Sequence, residues 1–338
     1  MADGGDEPDE AELHEEQKKE IAKWFLAHAP AGEIQYVAKD VKSLLGDDRV
    51  YEMAASEAFP VYNKAHLVAL EMLDRSGNVI ITKFGEIDES NYLDPRTAQV
   101  ATVDHVQQVC SNLRPATDEE LPSFYIEGFR TALDAELCKY VDDTYPKLTC
   151  AVYCTEGKDV EGPGASFEFS VVISTARHSP QNFCNGSWRS IWKVEFKDDL
   201  QVVELKGSLQ VGAHYFEEGN VQLDSKNECN DSTIFQSPED SAISIMNMIR
   251  QHEMEYLSSL EASYLNLSDA TFKVVIALPY CLCLISQKLP ITRTLFPWQN
   301  TLQFSLTKDI SKELGIGNHS SSFSSVFIYA KVVDMFED

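Results

Sequence analysis

Apolar positions along residues 17–66 recur at helical spacing. Ile21, Trp24 and Phe25, with His28 next along, form one apolar face, and Ile34, Val37, Val41, Leu44 and Leu45 form a second. Tyr51 to Tyr62 predicts a third helix, which Pro60 is expected to kink or end. The links near residues 30–32 and 46–48 are short, so the three helices are expected to be antiparallel neighbours in a small bundle. Residues 67–145 carry short strands, including NVIITK at 78–83 between turn signals. A helix follows over 124–141, with Ile126, Phe129, Leu133, Leu137 and Tyr140 on one face.

Over residues 146–226 the pattern changes to alternating or continuous apolar runs, at 148–154, 167–174, 188–196, 202–216 and 221–223. The last two are joined by Glu-Glu-Gly-Asn, where Gly219 can supply a positive φ. Five strands on short loops predict an antiparallel meander, and the chain as a whole is α+β. Ser237-Pro238-Glu239-Asp240 then reads as a helix start: a Ser cap, Pro in the first turn, and acids facing the dipole. A long helix is assigned to 236–273, with Ile243, Met246, Ile249, Tyr256, Leu260 and Tyr264 on one side; some thirty residues make it roughly 45 Å long.

Residues 288–315 predict a shorter amphipathic helix. Pro297 suits its first turn, and Trp298, Leu302, Leu306, Ile310 and Leu314 recur every fourth position. The polar side includes Gln299, Gln303, Thr307, Lys308, Ser311 and Lys312. Lys288, Arg293, Lys308 and Lys312 against Asp309 and Glu313 leave this stretch basic, within a chain of net charge −26. A cationic amphipathic helix suits a groove on a partner. The same stripe would also serve a final core helix, and the pattern alone leaves both open.

Composition narrows the function. A chain of 338 residues at 43% hydrophobic and 24% charged can bury one or two cores. Its acidity argues against bulk binding of nucleic acid or anionic lipid, except at a local basic site. Residues 1–16 hold eight acidic side chains and no apolar run, which predicts a disordered, solvated tail. The N-terminus lacks a basic-then-apolar leader, so a cytoplasmic protein is expected, with its eight cysteines reduced and mostly buried. No phosphate-cradling loop, nucleophile elbow or HExxH motif occurs. His252-Glu253 begins like a zinc-protease motif without its second histidine, and Cys150-x3-Cys154 lacks a second pair. Neither an enzyme nor a metal or cofactor site is expected.

Four segments, in order, carry a family resemblance: LDPR at 93–96, NGSWRSIWK at 185–193, AHYFEEGNVQL at 213–223, and LPITRT followed by W-x3-L near the end. Together they resemble the alpha subunit of F-actin capping protein over roughly residues 17–315. The resemblance implies a heterodimer with a beta subunit whose sheet joins this one, the long helix lying across both. It implies a cytoskeletal protein that binds the fast-growing (barbed) filament end and blocks subunit addition and loss without severing. Residue matching implies that Lys273 and Arg293 belong to its basic actin-binding cluster, with Lys288 as a substitute third member. The stripe Trp298, Leu302, Leu306 and Ile310 would dock on an actin groove, with Lys308 and Lys312 on the polar side of this mobile helix. Trp188, Trp192, His214, Tyr215 and Asn220 are assigned to sheet packing and the subunit interface. The family's regulation by anionic phospholipids supplies a rival reading, a membrane-associated lipid sensor using the cationic C-terminal helix.

Two segments depart from the family pattern. Residues 274–287 insert an apolar run, VVIALPYCLCLI, too short to span a bilayer of about 20 residues. Residues 316–338 form a Ser-rich continuation ending in FIYAKVVDMF and two acids. Neither has a fold rationale in the sequence; alternative transcript processing or a gene-model error is the expected origin, and sequencing the abundant message tests it.

Overall fold

The computed structural model describes residues 14–144, 148–162, 165–179, 181, 183–197, 202–216, 220–270 and 327–331. Three helices open the chain: α1 (Glu15–Ala27), α2 (Ile34–Leu45) and α3 (Asp48–Ala65). Gly46 ends α2 in the left-handed region, at φ 61°. Asp47 caps α3, accepting from the Arg49 and Val50 amides at 2.9 and 3.1 Å. Their shared core is rich in alanine: Ala22, Leu26, Ile34, Ala38, Val41, Ala54, Ala55, Ala58, Phe59 and Tyr62.

That core corrects the apolar face expected of α1 and, in α2, the place of Leu44 alone: Ile34 and Val41 are buried, with Val37 and Leu45 packed against the core. Ile21, Trp24 and Phe25 are about half exposed, and Leu44 points almost wholly into solvent. Alanines on α1 and α3 let the two backbones approach closely, and the bulkier neighbours of Ala22 and Leu26 do not fit between them. Pro60 also neither ends nor shortens α3, which runs on to Ala65. Burial of Phe59, Tyr62 and Asn63 on that turn outweighs the ~3 kcal/mol cost of an interior proline.

Next come a hairpin, β1 (Ala69–Glu71) and β2 (Asn78–Ile80), and a three-stranded sheet, β3 (Asn91–Asp94), β4 (Gln99–Asp104) and β5 (Val109–Pro115). The LDPR segment turns out of β3. Asp94 accepts from the Thr97 amide and hydroxyl, and Arg96 forms a bidentate pair with Asp134 of α4 (Phe124–Thr144) at 2.9 and 2.7 Å. The expected apolar face of α4 is the buried one: Ile126, Phe129, Leu133, Leu137 and Tyr140.

The main sheet runs β6 (Thr149–Glu156), β7 (Phe167–Ser179), β8 (Cys184–Phe196), β9 (Val202–Tyr215) and β10 (Asn220–Ile234), each antiparallel to its chain neighbour. This is the expected five-strand meander. Strand β11 (Phe327–Lys331), from the C-terminal continuation, adds a sixth on the far side of β10. Strand β10 is much longer than the three residues expected. Its DSKNECNDST stretch is polar on both faces and buries only Ser225 and Cys229, so it shows no strand period; pairing with β9 along its whole length holds it extended.

Helix α5 (Pro238–Ala270) packs on one face of this sheet beside α4. Ala242, Ile245, Met246, Ile249, Tyr256, Leu257 and Leu260 join a core with Phe167, Phe169, Trp188, Trp192, Phe196 and Leu209. Ile243 lies outside that face, 45% exposed, and Ile245 takes its place. The opposite face of the sheet meets the hairpin through Leu67, Ile80, Ala151, Tyr153 and Val172. Cys110, Cys138, Cys150, Cys154 and Cys229 are free thiols.

Candidate functional site: the sheet edge and the helix above it

The start of α5 forms as its sequence dictates. Ser237 Oγ accepts from the Asp240 amide at 3.1 Å and donates to the Asp240 carboxylate at 2.9 Å. From there the helix contacts β8 to β10 in turn. Glu253, fully buried, accepts from the Tyr140 hydroxyl of α4 and the Ser190 hydroxyl of β8, each at 2.5 Å. Ser190 Oγ in turn accepts from Trp192 Nε1 at 2.7 Å. A buried carboxylate is tolerated only with such donors, and this one pins two helices and a strand together. His252 lies 3.1 Å from Asp231 of β10, and Tyr256 donates to Ser225 of β10 at 2.8 Å. Burial pushes the Tyr256 phenol up to about 12.

The two tryptophans assigned to the interface core lie inside this layer. Trp188 packs against Tyr256 and Trp192 against His252, with ring centroids 6.1 and 5.6 Å apart, and neither is exposed. Gly207 of β9 sits opposite Trp192 in the ladder. A Cβ there would fall 2.6 Å from Trp192 Cε3 and Cη2, so glycine is what lets the indole lie flat on the next strand.

His214, at the far end of β9, works differently. Its Nδ1 lies 2.5 Å from Glu33 at the N-cap of α2, and Asn185 of β8 donates to the same carboxylate oxygen at 2.6 Å. Burial raises the Glu33 pKa, but the bonds from His214 and Asn185 outweigh it and hold the carboxyl below its ordinary range. So AHYFEEGNVQL and NGSWRSIWK meet at one end of the sheet, and through Glu33 they anchor the helical bundle. Tyr215 is half-buried and pairs with Cys184 and Val221. Asn220 begins β10, with Lys331 opposite it in β11.

The sheet ends on an edge. Strand β11 covers β10 at residues 220–224. Among the described residues no strand pairs with the outer side of 225–234. The actin-binding candidates Lys273, Lys288, Arg293, Trp298, Leu302, Leu306, Lys308, Ile310 and Lys312 lie outside the described residues, as do Tyr264's side chain and the turn at Gly219. Sequence reasoning missed Glu253, Gly207 and Glu33. A signal existed for the first: an acid placed among Ile249, Tyr256 and Leu257 on an otherwise apolar stripe. No helix of the described residues is long and apolar enough to cross a membrane.

The class this geometry defines is an α+β protein built on an antiparallel meander, covered on one face by α4 and the longer α5 and, among the described residues, open along 225–234 of β10. The chain belongs to the F-actin capping protein alpha subunit family, whose model matches residues 22–309. It is 61% identical to the F-actin-capping protein subunit alpha of Arabidopsis thaliana over 317 residues, covering 94% of this chain and all of that one. The Dictyostelium discoideum subunit alpha is 33% identical, over 87% of this chain and 97% of its own. Among solved structures, the homodimeric actin capping protein alpha subunit from Plasmodium berghei shares the fold. It has a TM-score of 0.62 at 22% identity, covering 82% of this chain and 99% of that one.

Proposed function

We propose that this chain is the alpha subunit of a heterodimer that binds the barbed end of actin filaments and blocks subunit addition and loss there, without severing. The observation that carries this reading is the 61% identity to a plant capping protein alpha subunit across that protein's whole length. The fold is consistent with it: β10, 15 residues long and polar, has no strand on its outer side over 225–234 among the described residues, which suits continuation by a second sheet. On this reading a beta subunit adds at that edge and α5 extends over the joint. The protein is then a cytoskeletal, cytoplasmic and non-enzymatic binder.

The filament contact falls to the segment after α5. Lys273, Lys288 and Arg293 pair with actin carboxylates, Arg293 bidentately, and Lys308 and Lys312 add to the same field. Trp298, Leu302, Leu306 and Ile310 fill a groove on an actin subunit. Because the body of the chain is acidic, the attraction is local and weakens as salt rises. Anionic phospholipid would compete for the same basic residues. That makes lipid binding a property of the capping tail rather than a separate function.

Pyrene-actin elongation from filament seeds, with the chain co-expressed with a beta subunit, tests this. Elongation is expected to stop at substoichiometric dimer. Lys273→Glu with Arg293→Glu should leave the dimer intact and weaken capping at least tenfold. A stable dimer that never slows elongation would overturn the assignment of function, and failure to form a dimer would overturn the assignment of partner.

A further inference from the structure

Strand β11 sits where a second sheet would join. It pairs antiparallel with β10, from Asn220↔Lys331 to Asp224↔Phe327, on the side of β10 away from β9. That is the side on which the proposed beta subunit adds, and a competition there presupposes that partner. The central strands of this sheet are long: 13 residues in β7 and in β8, 14 in β9 and 15 in β10. With β11 in place, only 225–234 of β10 are clear of an outer strand among the described residues. Those positions make about 34 Å of edge. A partner strand as long as β7 to β10, paired from Ile234 onward, runs past Ser225 onto the positions that β11 holds. One outward N–H or C=O cannot serve two ladder strands at once, so pairing along the whole of β10 requires β11 to leave.

Strand β11 is also the one in this sheet least able to resist. It is 5 residues long and has β10 as its one strand neighbour among the described residues, whereas each of β7 to β10 is paired on both sides. Phe327, Ile328 and Tyr329 are β-forming residue types, which suits the segment to an edge. It belongs to the chain's C-terminal continuation, past residue 309, where the family match ends. A short strand held from one side opens locally at far lower cost than the ladders inside the sheet.

We propose that residues 327–331 are an intramolecular competitor for the partner's strand. In the free chain β11 covers 220–224 and shortens the edge open to pairing with other chains. When the beta subunit pairs along β10, β11 is displaced. Only chains with a clear edge accept the full partner strand, so the apparent affinity falls in proportion to the fraction of chains in that state. An edge clear in about one chain in ten gives a loss of about tenfold, or about 1.4 kcal/mol, the scale of one or two net backbone hydrogen bonds. The continuation thus makes dimer formation weaker than in a chain that ends before it.

Two measurements test this. Hydrogen exchange read by mass spectrometry follows 327–331 in the full chain alone and with saturating recombinant capping protein beta subunit. Titration of fluorescently labelled beta subunit compares the full chain, the full chain carrying Ile328→Pro with Tyr329→Pro, and a chain ending at Gly315. Successive N–H groups of a strand point to opposite sides, so the proline pair removes one that faces β10. Protection of 327–331 is expected in the free chain and should be lost on binding. Both altered forms should bind the beta subunit about tenfold more tightly than the parent. Protection of 327–331 that persists in the complex, or equal affinity in all three forms, overturns the competition and leaves the partner in place. Absence of binding by every form would instead overturn the beta-subunit assignment, and the competition with it.

Discussion

Replacing Gly207 by alanine tests how tightly the sheet and α5 are fitted around Trp192. By backbone propensity alone the change should help, since glycine in a strand costs about 0.5–1 kcal/mol relative to alanine. The structure reverses the sign. The new methyl would stand 2.6 Å from two indole carbons, far inside van der Waals contact. The ring cannot simply turn away: Trp192 is fully buried, its Nε1 is held by Ser190, and Ser190 is held by Glu253. Overpacking of this kind costs about 1–3 kcal/mol, more than the propensity gain. A net loss of about 2 kcal/mol is expected, or roughly 3 °C in melting temperature for a chain of this length. Trp192→Leu alone should lose about 2–4 kcal/mol through its cavity. On that background Gly207→Ala should become neutral or slightly stabilising, giving a coupling energy of at least about 1 kcal/mol in a double-mutant cycle. Urea unfolding followed by far-UV circular dichroism measures all four species. An alanine at 207 that stabilises the parent protein, or costs the same with and without the indole, would refute the packing argument.

Other expectations follow from the same contacts. Burial and the neighbouring Arg189 push the His66 imidazole down to about 3, its Nδ1 having no hydrogen-bond partner. The unfolded chain then takes up the proton more readily below about pH 6.5, so stability falls with pH through that range, by about 2 kcal/mol between pH 7 and pH 5. His66→Phe, which keeps the stack on Tyr62, should flatten that slope. Glu33, with its pKa held down by His214 and Asn185, stabilises the ionised native form above the ordinary carboxylate range and loses this as pH falls through its lowered value. The protection factors of the α2 amides, with the intrinsic pH dependence of exchange divided out, should therefore drop in acid in the parent protein and change less in Glu33→Gln. Glu253→Ala, which strands the Tyr140 and Ser190 hydroxyls, should cost about 3 kcal/mol by denaturant titration. A loss under 1 kcal/mol would mean that the buried carboxylate does not tie α4 and β8 to α5.

The sequence was most legible where one periodicity faced one core. Helix α4 and the first four strands of the meander read correctly, because Ile126 to Tyr140 line one buried face and the apolar runs of β6 to β9 are buried, against α4 and α5 on one side and, for Ala151, Tyr153 and Val172, against the hairpin on the other. It misled where small residues did the packing. Trp24 and Phe25 look like core beside Ala22, yet the bundle closes on the alanine. It was silent on β10, whose extended form is imposed by β9 and not by its own side chains. Of the candidate site, Trp188, Trp192 and His214 could be named as packing residues. What they pack against, α5 for the tryptophans and Glu33 of α2 for the histidine, depends on partners up to 181 residues away, which no local window contains.

The bonds to Glu253 also set an order of events on the ribosome. Neighbouring strands can pair as each one emerges, but Tyr140 must wait for a carboxylate 113 residues downstream, and Ser190 for one 63 residues on. Phe129 of α4 can already meet Phe167 and Phe196, but until α5 arrives Trp188 and Trp192 lack the cover that Tyr256 and His252 give them. At about 5–20 residues per second, the stretch from Phe196 to Leu260 takes about 3 to 13 s to synthesise. For that interval the nascent chain presents these two tryptophans to solvent, and its exposure to aggregation ends only when the last long helix docks.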